Sequence, residues 1–424
     1  MRVLIVTQIF LPEMGALSSR IYPIARQLVA SGHEVIVATG MPNYPAGVVF
    51  PRYRGKRSMT EEIDGIRVIR TACYTSPRNQ SKLSQMRSYL SFIPAAFRSG
   101  LRAKKVDVVI TTSPPIFTAI PAMYLAKLYG AKLVFDVRDL WPDELTTYGG
   151  IPEDSLAVRM IRAIERRAYA AADCVLGTTR AILDTVVERG VPRENAFYLP
   201  NGADLDIFRP LPRKNHVADE YPFKDRFVVM YSGLFGIKHG LEVLLEAAER
   251  LKAHKDIVFF LLGNGARREA LIKWVEDRGL DNVIIGNERP INDVPYLLAR
   301  ADACFAAVRP EPYPKKVISV KVFEYLACER AVVGALSGES ARVLEESQGG
   351  IVVPPGDSLA TAEAILSLYK DPDRRALMGK LGRRYVEENF SRSTWAARLE
   401  ERLADMTRSE AAEPKPVQHL VGAD

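Results

Sequence analysis

Short runs of β-branched and aliphatic residues alternate along this chain with longer stretches whose apolar positions recur every three to four residues, and the alternation runs through twice. "RVLIVT" (2–7) reads as a strand, "ALSSRIYPIARQLVASG" as a helix closed at Ser31-Gly32, and "EVIVATG" (34–40) as the next strand. Strands follow at "IRVIRTA", "DVVITT", "AKLVFDV", "DCVLGTT" and "AFYLP", with helices around 84–104, 116–129, 155–171 and 180–189. Such alternation predicts a parallel sheet covered on both faces. A stretch rich in Pro, Asn and Asp, "LPNGADLDIFRPLPRKNHVADEYPFKD", interrupts it. The pattern then restarts with "RFVVMYSG", "LEVLLEAAERLKAH", "DIVFFLLGNG" and "RREALIKWVEDRG", and with later strands at "NVIIG", "ADACFAA", "RAVVGA" and "GGIVVPP".

The expected fold class is therefore α/β, with two Rossmann-like, doubly wound halves. The boundaries are set at 1–203 and 204–390, followed by an amphipathic helix over 391–408 that packs back on the first half. A polar, proline-containing tail over 409–424 is expected to be disordered. The length of 424 residues suits two domains, and the hydrophobic and charged fractions, 47% and 26%, are those of a globular protein.

A net charge of +7 fits an anionic ligand or membrane surface as well as nucleic acid. The basic runs lack the interleaved aromatics of a nucleic-acid surface, so none is assigned. Cys73, Cys174, Cys304 and Cys328 are far apart and form no CxxC pair, which reads as reduced core thiols and a cytosolic setting. The apolar start is too short for a signal segment, and no run of 18 uncharged apolar residues follows. No His/Cys/Asp spacing suggests a metal.

In doubly wound sheets, ligands lie beyond the carboxyl ends of the strands. The first such loop, "QIFLPEMGALSSR", holds Glu13 and Gly15; the glycine permits a tight path into a helix whose free amides can face an anion. The corresponding loop of the second half, "YSGLFGIKHG", sets Gly233, Gly236 and Gly240 around Lys238 and His239. It is neither GxGxxG nor a Walker loop, yet a glycine turn carrying a cation suits a diphosphate; taken alone, a plain turn with a solvated lysine is the simpler reading. "FDVRDLWPD" puts Asp136, Arg138 and Asp139 at the end of a central strand, where they form either an ion-pair cluster or part of a site, with Trp141 alongside to pack the loop or stack a sugar. In "SVKVFEYLACERAVVGA", Glu324 stands between Phe323 and Tyr325 with Lys321 one turn earlier. That is a surface i,i+3 pair or a carboxylate with a task.

The two-half organisation, "LPNGADLDIF" at the junction and the Glu-bearing helix resemble the retaining GT-B glycosyltransferases, family 4 type. "GHEVIVATGMPNYPAGVVFPRYRGK", "IDGIRVIRTACY", "TTSPPIFTAIPA" and "FDVRDLWPD" resemble the branch that builds O-antigen and colanic-acid polysaccharides, which includes fucosaminyltransferases. The resemblance implies two Rossmann-like domains facing each other across a cleft. It implies that Glu324 accepts hydrogen bonds from both ribose hydroxyls of a nucleotide-sugar donor, that Ser319 caps its helix, and that Lys238 and Lys321 meet the donor phosphates. Asp139 would orient an acceptor hydroxyl and Arg138 would bind a phosphate, with Glu13, Asp136, Trp141 and Ser113 on the acceptor side. The chain departs from the pattern at Lys316, where a second glutamate is usual, and at Leu234, where an arginine is usual. His239 takes the place of a lysine, Ser113 stands near the place of a histidine, and Arg138 replaces the histidine of an "HD" pair.

The implied activity is metal-independent, cofactor-free transfer of an amino- or deoxy-sugar from a UDP- or GDP-linked donor to a polyprenyl-diphosphate saccharide. A nucleotide-sugar 2-epimerase of the same fold and a non-catalytic member of an assembly complex are the alternatives. "KLSQMRSYLSFIPAAFRSGLRAKK" (82–105) has aromatics, six cations and no acid, which reads either as a helix lying on the anionic inner leaflet of the plasma membrane or as a domain helix with a cationic outer face.

Overall fold

A computed structural model describes residues 1–13, 15–44, 46–75, 82–147, 150–223, 225–310 and 318–411. The chain forms two compact units, one of Met1–Leu199 with the segment from Ser393 onward, the other of Pro200–Arg392.

The first unit holds strands β1 (Arg2–Val6), β2 (Glu34–Gly40), β3 (Ser58–Ile63), β4 (Ile66–Thr71), β5 (Val108–Ser113), β6 (Lys132–Val137), β7 (Cys174–Gly177) and β8 (Ala196–Tyr198). Its helices are α1 (Ala16–Ala30), α2 (Lys82–Leu101), α3 (Ala119–Tyr129), α4 (Trp141–Thr147), α5 (Leu156–Ala171) and α6 (Arg180–Glu188). The strand order is β3-β4-β2-β1-β5-β6-β7-β8. Neighbours pair in parallel except β3, which runs antiparallel to β4 at the edge. The sequence pattern passes over β3 because Met59, Thr60, Glu61 and Glu62 lack a continuous apolar run, as suits an edge strand. Helices α2, α3, α5 and α6 share one core against the sheet; α1 lies on the opposite face.

The second unit holds β9 (Phe227–Ser232), β10 (Ile257–Leu262), β11 (Val283–Gly286), β12 (Ala303–Ala307), β13 (Ala331–Ala335) and β14 (Gly350–Val353), with order β11-β10-β9-β12-β13-β14 and parallel pairing throughout. Its helices are α7 (Glu242–Arg250), α8 (Arg268–Asp277), α9 (Val294–Arg300), α10 (Val320–Ala327), α11 (Gly338–Glu346), α12 (Ser358–Lys370) and α13 (Pro372–Asn389). Strands buried on both faces explain the unbroken run "IVFFLL", all of whose residues are buried.

A final helix, α14 (Arg392–Ala411), belongs from Ser393 onward to the first unit. Leu399 and Leu403 join the apolar core beneath β1 and β2, and the Trp395 ring meets Tyr198 edge-on with centroids 5.3 Å apart. Glu400 accepts from Ser31 Oγ at 2.6 Å and lies 3.1 Å from His33 Nε2, so His33 is tied into the packing of this helix. The tail anticipated from 409 lies, beyond Ala411, outside the described residues, as does Lys316.

In the helix over 82–105 the aromatics turn inward. Phe92 is buried, and Met86, Tyr89, Ile93 and Phe97 pack against the core. The aromatics counted towards a lipid face therefore hold the domain together, and only Leu83, Leu90 and Leu101 among its large apolar residues point outward.

Candidate functional site

In the first unit, the loops after β1, β5 and β6 gather the residues singled out from the sequence. Glu13 is fully buried and accepts backbone N–H groups from Asn43 (2.8 Å), Tyr44 (2.9 Å) and Phe10 (3.2 Å). Burial pushes its carboxyl above the ordinary glutamate value, against those donors and the nearby Arg70 charge. It staples two loops together and has no surface for an acceptor. Gly15 caps α1, and a Cβ there would press on the Tyr44 ring at 2.9 Å, so the glycine is explained by close approach.

Asp136, at the end of β6, is also fully enclosed. Arg20 of α1 donates to both of its oxygens, Nε at 3.1 and 2.9 Å and Nη2 to Oδ1 at 2.6 Å, and Thr112 Oγ1 donates at 3.0 Å. The expectation that Asp136 touches an acceptor is thus replaced by a structural role: a bidentate buried pair that joins α1 to the sheet. Ser113 is buried as well, and its carbonyl accepts the Arg138 N–H at 3.0 Å.

Arg138 donates through Nε to Thr112 Oγ1 (3.1 Å) and through Nη2 to the Pro114 carbonyl (2.6 Å). Burial lowers its pKa from the ordinary arginine value, with Asp139 and Asp136 opposing. It braces the loop, and Asp139 beside it makes no hydrogen bond or ion pair within 4 Å with another described residue. Trp141 opens α4, is half-buried, and packs edge-on against Tyr89 and Phe117 (centroids 5.9 and 5.7 Å), so it helps pack this loop.

In the second unit, the turn after β9 carries Gly233 (φ 137) and Gly240 (φ 52), both in backbone regions that favour glycine. The turn is held from beneath by the "GNG" segment after β10: Phe235 N–H donates to Asn264 O at 2.8 Å and Arg267 N–H to Phe235 O at 3.0 Å. Gly263 (φ 150) must lack a side chain because a Cβ there would collide with the Gly233 carbonyl oxygen. Tyr325, fully buried on α10, accepts from Ser232 N–H (2.8 Å) and donates to Ser232 O (3.2 Å), clamping the strand end where the turn begins. Neither support stood out in the sequence.

Lys321 lies under the same turn: a Cβ on Gly233 would clash with its Cε, and Nζ stands over the Tyr231 ring, 5.3 Å from the centroid. Burial pulls its ammonium below the ordinary lysine value while Glu324 pulls it up. Burial pushes the Glu324 carboxyl up, with Arg392 and Lys321 pulling it back. Arg392 Nη2 is 3.8 Å from Glu324 Oε1, and the two side chains are 12% and 21% exposed. Ser319 occupies the N-cap position of α10, its side chain caps no amide, and its carbonyl accepts the Val322 N–H at 3.1 Å, which leaves the N–H groups of Val320 and Lys321 to face an anion. The backbone N–H of Ser319 donates to Ser340 Oγ at 3.1 Å. His239 differs from the cation that its position suggests. Burial, with Lys321 and Lys238 close by, lowers its pKa to about 3, so at neutral pH it is an uncharged hydrogen-bonding group. Lys238, on the exposed side of the turn, supplies charge instead.

The second unit thus offers a glycine turn, a helix start, two lysines and one partly enclosed carboxylate on adjoining strand ends, a set suited to a diphosphate and a vicinal diol. Residues 15–202 match the glycosyl transferase 4-like domain, and residues 213–385 match the glycosyl transferases group 1 family. With a glycosyltransferase match to each unit, the chain is a glycosyltransferase and has the GT-B type of fold, two Rossmann-like domains. It is 29% identical over 368 residues, 83% of this chain and 88% of the relative, to an Escherichia coli K12 protein named as the colanic acid biosynthesis glycosyl transferase WcaI. Among solved structures it is similar to sucrose-phosphate synthase from Thermosynechococcus elongatus (TM-score 0.74, 18% identity, 96% and 99% of the two chains covered). It is also similar to Anabaena HepE in complex with UDP (TM-score 0.71, 16% identity, 96% and 100% covered).

Proposed function

We propose that this glycosyltransferase moves an amino- or deoxy-sugar, with retention at the anomeric carbon, from a UDP- or GDP-linked donor to a polyprenyl-diphosphate-linked saccharide in surface polysaccharide assembly. The observation that carries the donor half is the placement of Lys321 and Glu324 on one helix beneath the Gly233 turn. Glu324 would accept the two ribose hydroxyls, while Lys321, Lys238 and the first amides of α10 meet the diphosphate. As the bond from the anomeric carbon to the diphosphate oxygen breaks, the charge that develops on that oxygen is met by the same groups. An acceptor hydroxyl oriented by Asp139 forms the new bond on the same face of the sugar and passes its proton to the departing diphosphate oxygen. No metal or cofactor is assigned to the reaction.

The WcaI name supports a role in polysaccharide assembly, and the UDP held by the Anabaena protein supports a uridine donor. The four free cysteines suit a reducing compartment, consistent with work at the cytoplasmic face of the plasma membrane. The test is nucleotide release with and without a lipid-linked acceptor. Release of UDP or GDP only when acceptor is present supports transfer, release without it points to an epimerase or hydrolase, and release under neither condition points to a non-catalytic assembly role.

A further inference from the structure

Most of the large apolar side chains that the described chain leaves exposed lie on three helices of one face of the first unit. They include Leu90 and Leu101 on α2, Tyr124 and Leu128 on α3, and Leu156 and Met160 on α5. Tyr124 is 64% exposed and Leu156 72%. The three helices share a core beneath, and α3 lies against α2: Tyr89 stacks on Phe117 with centroids 5.8 Å apart, and Tyr129 Oη donates to the Gly100 carbonyl at 3.1 Å. Between α3 and α5 runs an open groove of about 910 Å³, lined by Ile120, Met123, Leu133 and Ile164, with Lys127 and Arg167 also along it.

The outward-facing charge carried by the three helices has one sign. Helices α2 and α3 contain no acidic residue. The acid within α5, Glu165, is 4% exposed and held by Arg189 at 3.0 Å. Lys127 and Arg167 have no carboxylate partner among the described residues, while Lys132 in the same groove pairs with Asp173 at 3.3 Å. The groove opens at the start of β6, beside Lys132 and Leu133, and so lies away from the strand ends where Arg138 and Asp139 sit.

We infer that the outer face of α2, α3 and α5 docks on an anionic phospholipid bilayer, with an acyl segment entering the α3–α5 groove and lipid phosphate at Lys127 and Arg167. A face of this size with apolar residues amid unpaired cations matches the acyl–headgroup boundary, where the apolar groups leave water and the cations meet negative phosphate. A soluble acidic peptide would use the cations and leave the apolar groups wet. The inference deepens the proposed membrane location but does not depend on the identity of donor or acceptor.

The experiment is co-sedimentation of the full chain with phosphatidylglycerol-containing and with pure phosphatidylcholine vesicles, at low and high salt. The parent is expected to bind the anionic vesicles, less so as salt rises. The pair Lys127→Glu and Arg167→Glu should lower the partition about tenfold or more. The pair Tyr124→Ser and Leu128→Ser, which leaves net charge unchanged, should lower it as well. Both variants should melt like the parent and keep transfer to a short soluble acceptor, which separates lost docking from lost folding or lost chemistry. Parental sedimentation of both variants overturns the proposal. So does a parent that is dimeric without vesicles and becomes monomeric in the Tyr124/Leu128 variant while vesicle binding is unchanged, since the face would then join two copies. Nucleotide release in a parent that ignores vesicles would sink the docking surface and leave the transferase reading standing.

Discussion

Arg392 Nη2 approaches Glu324 Oε1 to 3.8 Å while Arg392 Nε donates to the Asn201 carbonyl at 3.0 Å. The carboxylate proposed to hold the ribose is thereby linked to the segment at the start of the second unit, which runs beside the end of that unit through Ala203 N–H to Phe390 O (2.9 Å) and Arg392 N–H to Ala203 O (3.0 Å). Burial raises the Glu324 carboxyl, Arg392 and Lys321 draw it down, and Arg392 at 3.8 Å leaves its oxygens room for a ligand. Glu324→Gln is expected to weaken nucleotide binding by about 1–3 kcal/mol, because an amide offers one acceptor where the diol needs two. Titration calorimetry with UDP and GDP checks this; unchanged affinity for both nucleotides removes Glu324 from the ribose.

The neighbouring acids of the first unit should respond in opposite ways. Asp136→Asn leaves Arg20 buried without its carboxylate, and loss of one partner of such a pair costs about 3–5 kcal/mol of stability. Its signature is a lower melting temperature. Asp139→Asn should leave melting unchanged and reduce turnover by about 100-fold or more with little effect on donor affinity. Equal losses of turnover and donor affinity would assign Asp139 to the loop's structure instead.

His239 supplies a pH test. Native His239 stays neutral down to about pH 3, whereas in the unfolded chain it takes a proton near the ordinary histidine value of 6.5. Between these values the unfolded state binds more protons, so this residue lowers stability as pH falls from about 6.5 towards 3. His239→Gln should therefore melt closer to the parent, or above it, at pH 5 than at pH 7.5. A bound diphosphate should raise the His239 pKa, visible in its ring signals by NMR. Titration near 6.5 in the nucleotide-free protein would show that the ring is neither buried nor next to the lysines.

Gly263→Ala tests the support beneath the donor turn. At φ 150 a side chain is strained by about 1–3 kcal/mol, and the Gly233 carbonyl occupies the space the Cβ needs. The variant should lose both thermal stability and nucleotide affinity, measured by calorimetry on the same preparation. A parent-like melting curve with parent-like affinity would mean that the two loops are not packed this way.

Much of this architecture was legible in the linear pattern. Runs such as "RVLIV" and "IVFFLL" are continuous because both faces of a parallel strand are covered, and the spaced apolar positions of α1 and α7 have nowhere else to lie than on a sheet. Glycine turns after β1 and β9 announced the ligand-facing ends, since topology puts ligands there. The carboxylate at 324 stood out because a charge between Phe323 and Tyr325 needs a reason. What the pattern left open is which of two nearby polar groups faces outward. Asp136 and Asp139 look alike in "FDVRD", yet one is sealed by Arg20, a residue more than a hundred positions earlier, and the other is left without a hydrogen bond or ion pair to a described residue. A clue was present: Arg20 lies on the buried stripe of α1 with Leu17, Ile21 and Ile24, and a buried cation needs a buried anion. Likewise, the aromatics of α2 suit a lipid surface or a core equally well in one dimension, and only packing against the sheet decides for the core. Local sequence sets the period and the turn chemistry. Burial, charge partners and the pKa of His239 come from residues distant along the chain, because desolvation and Coulomb attraction depend on separation in space.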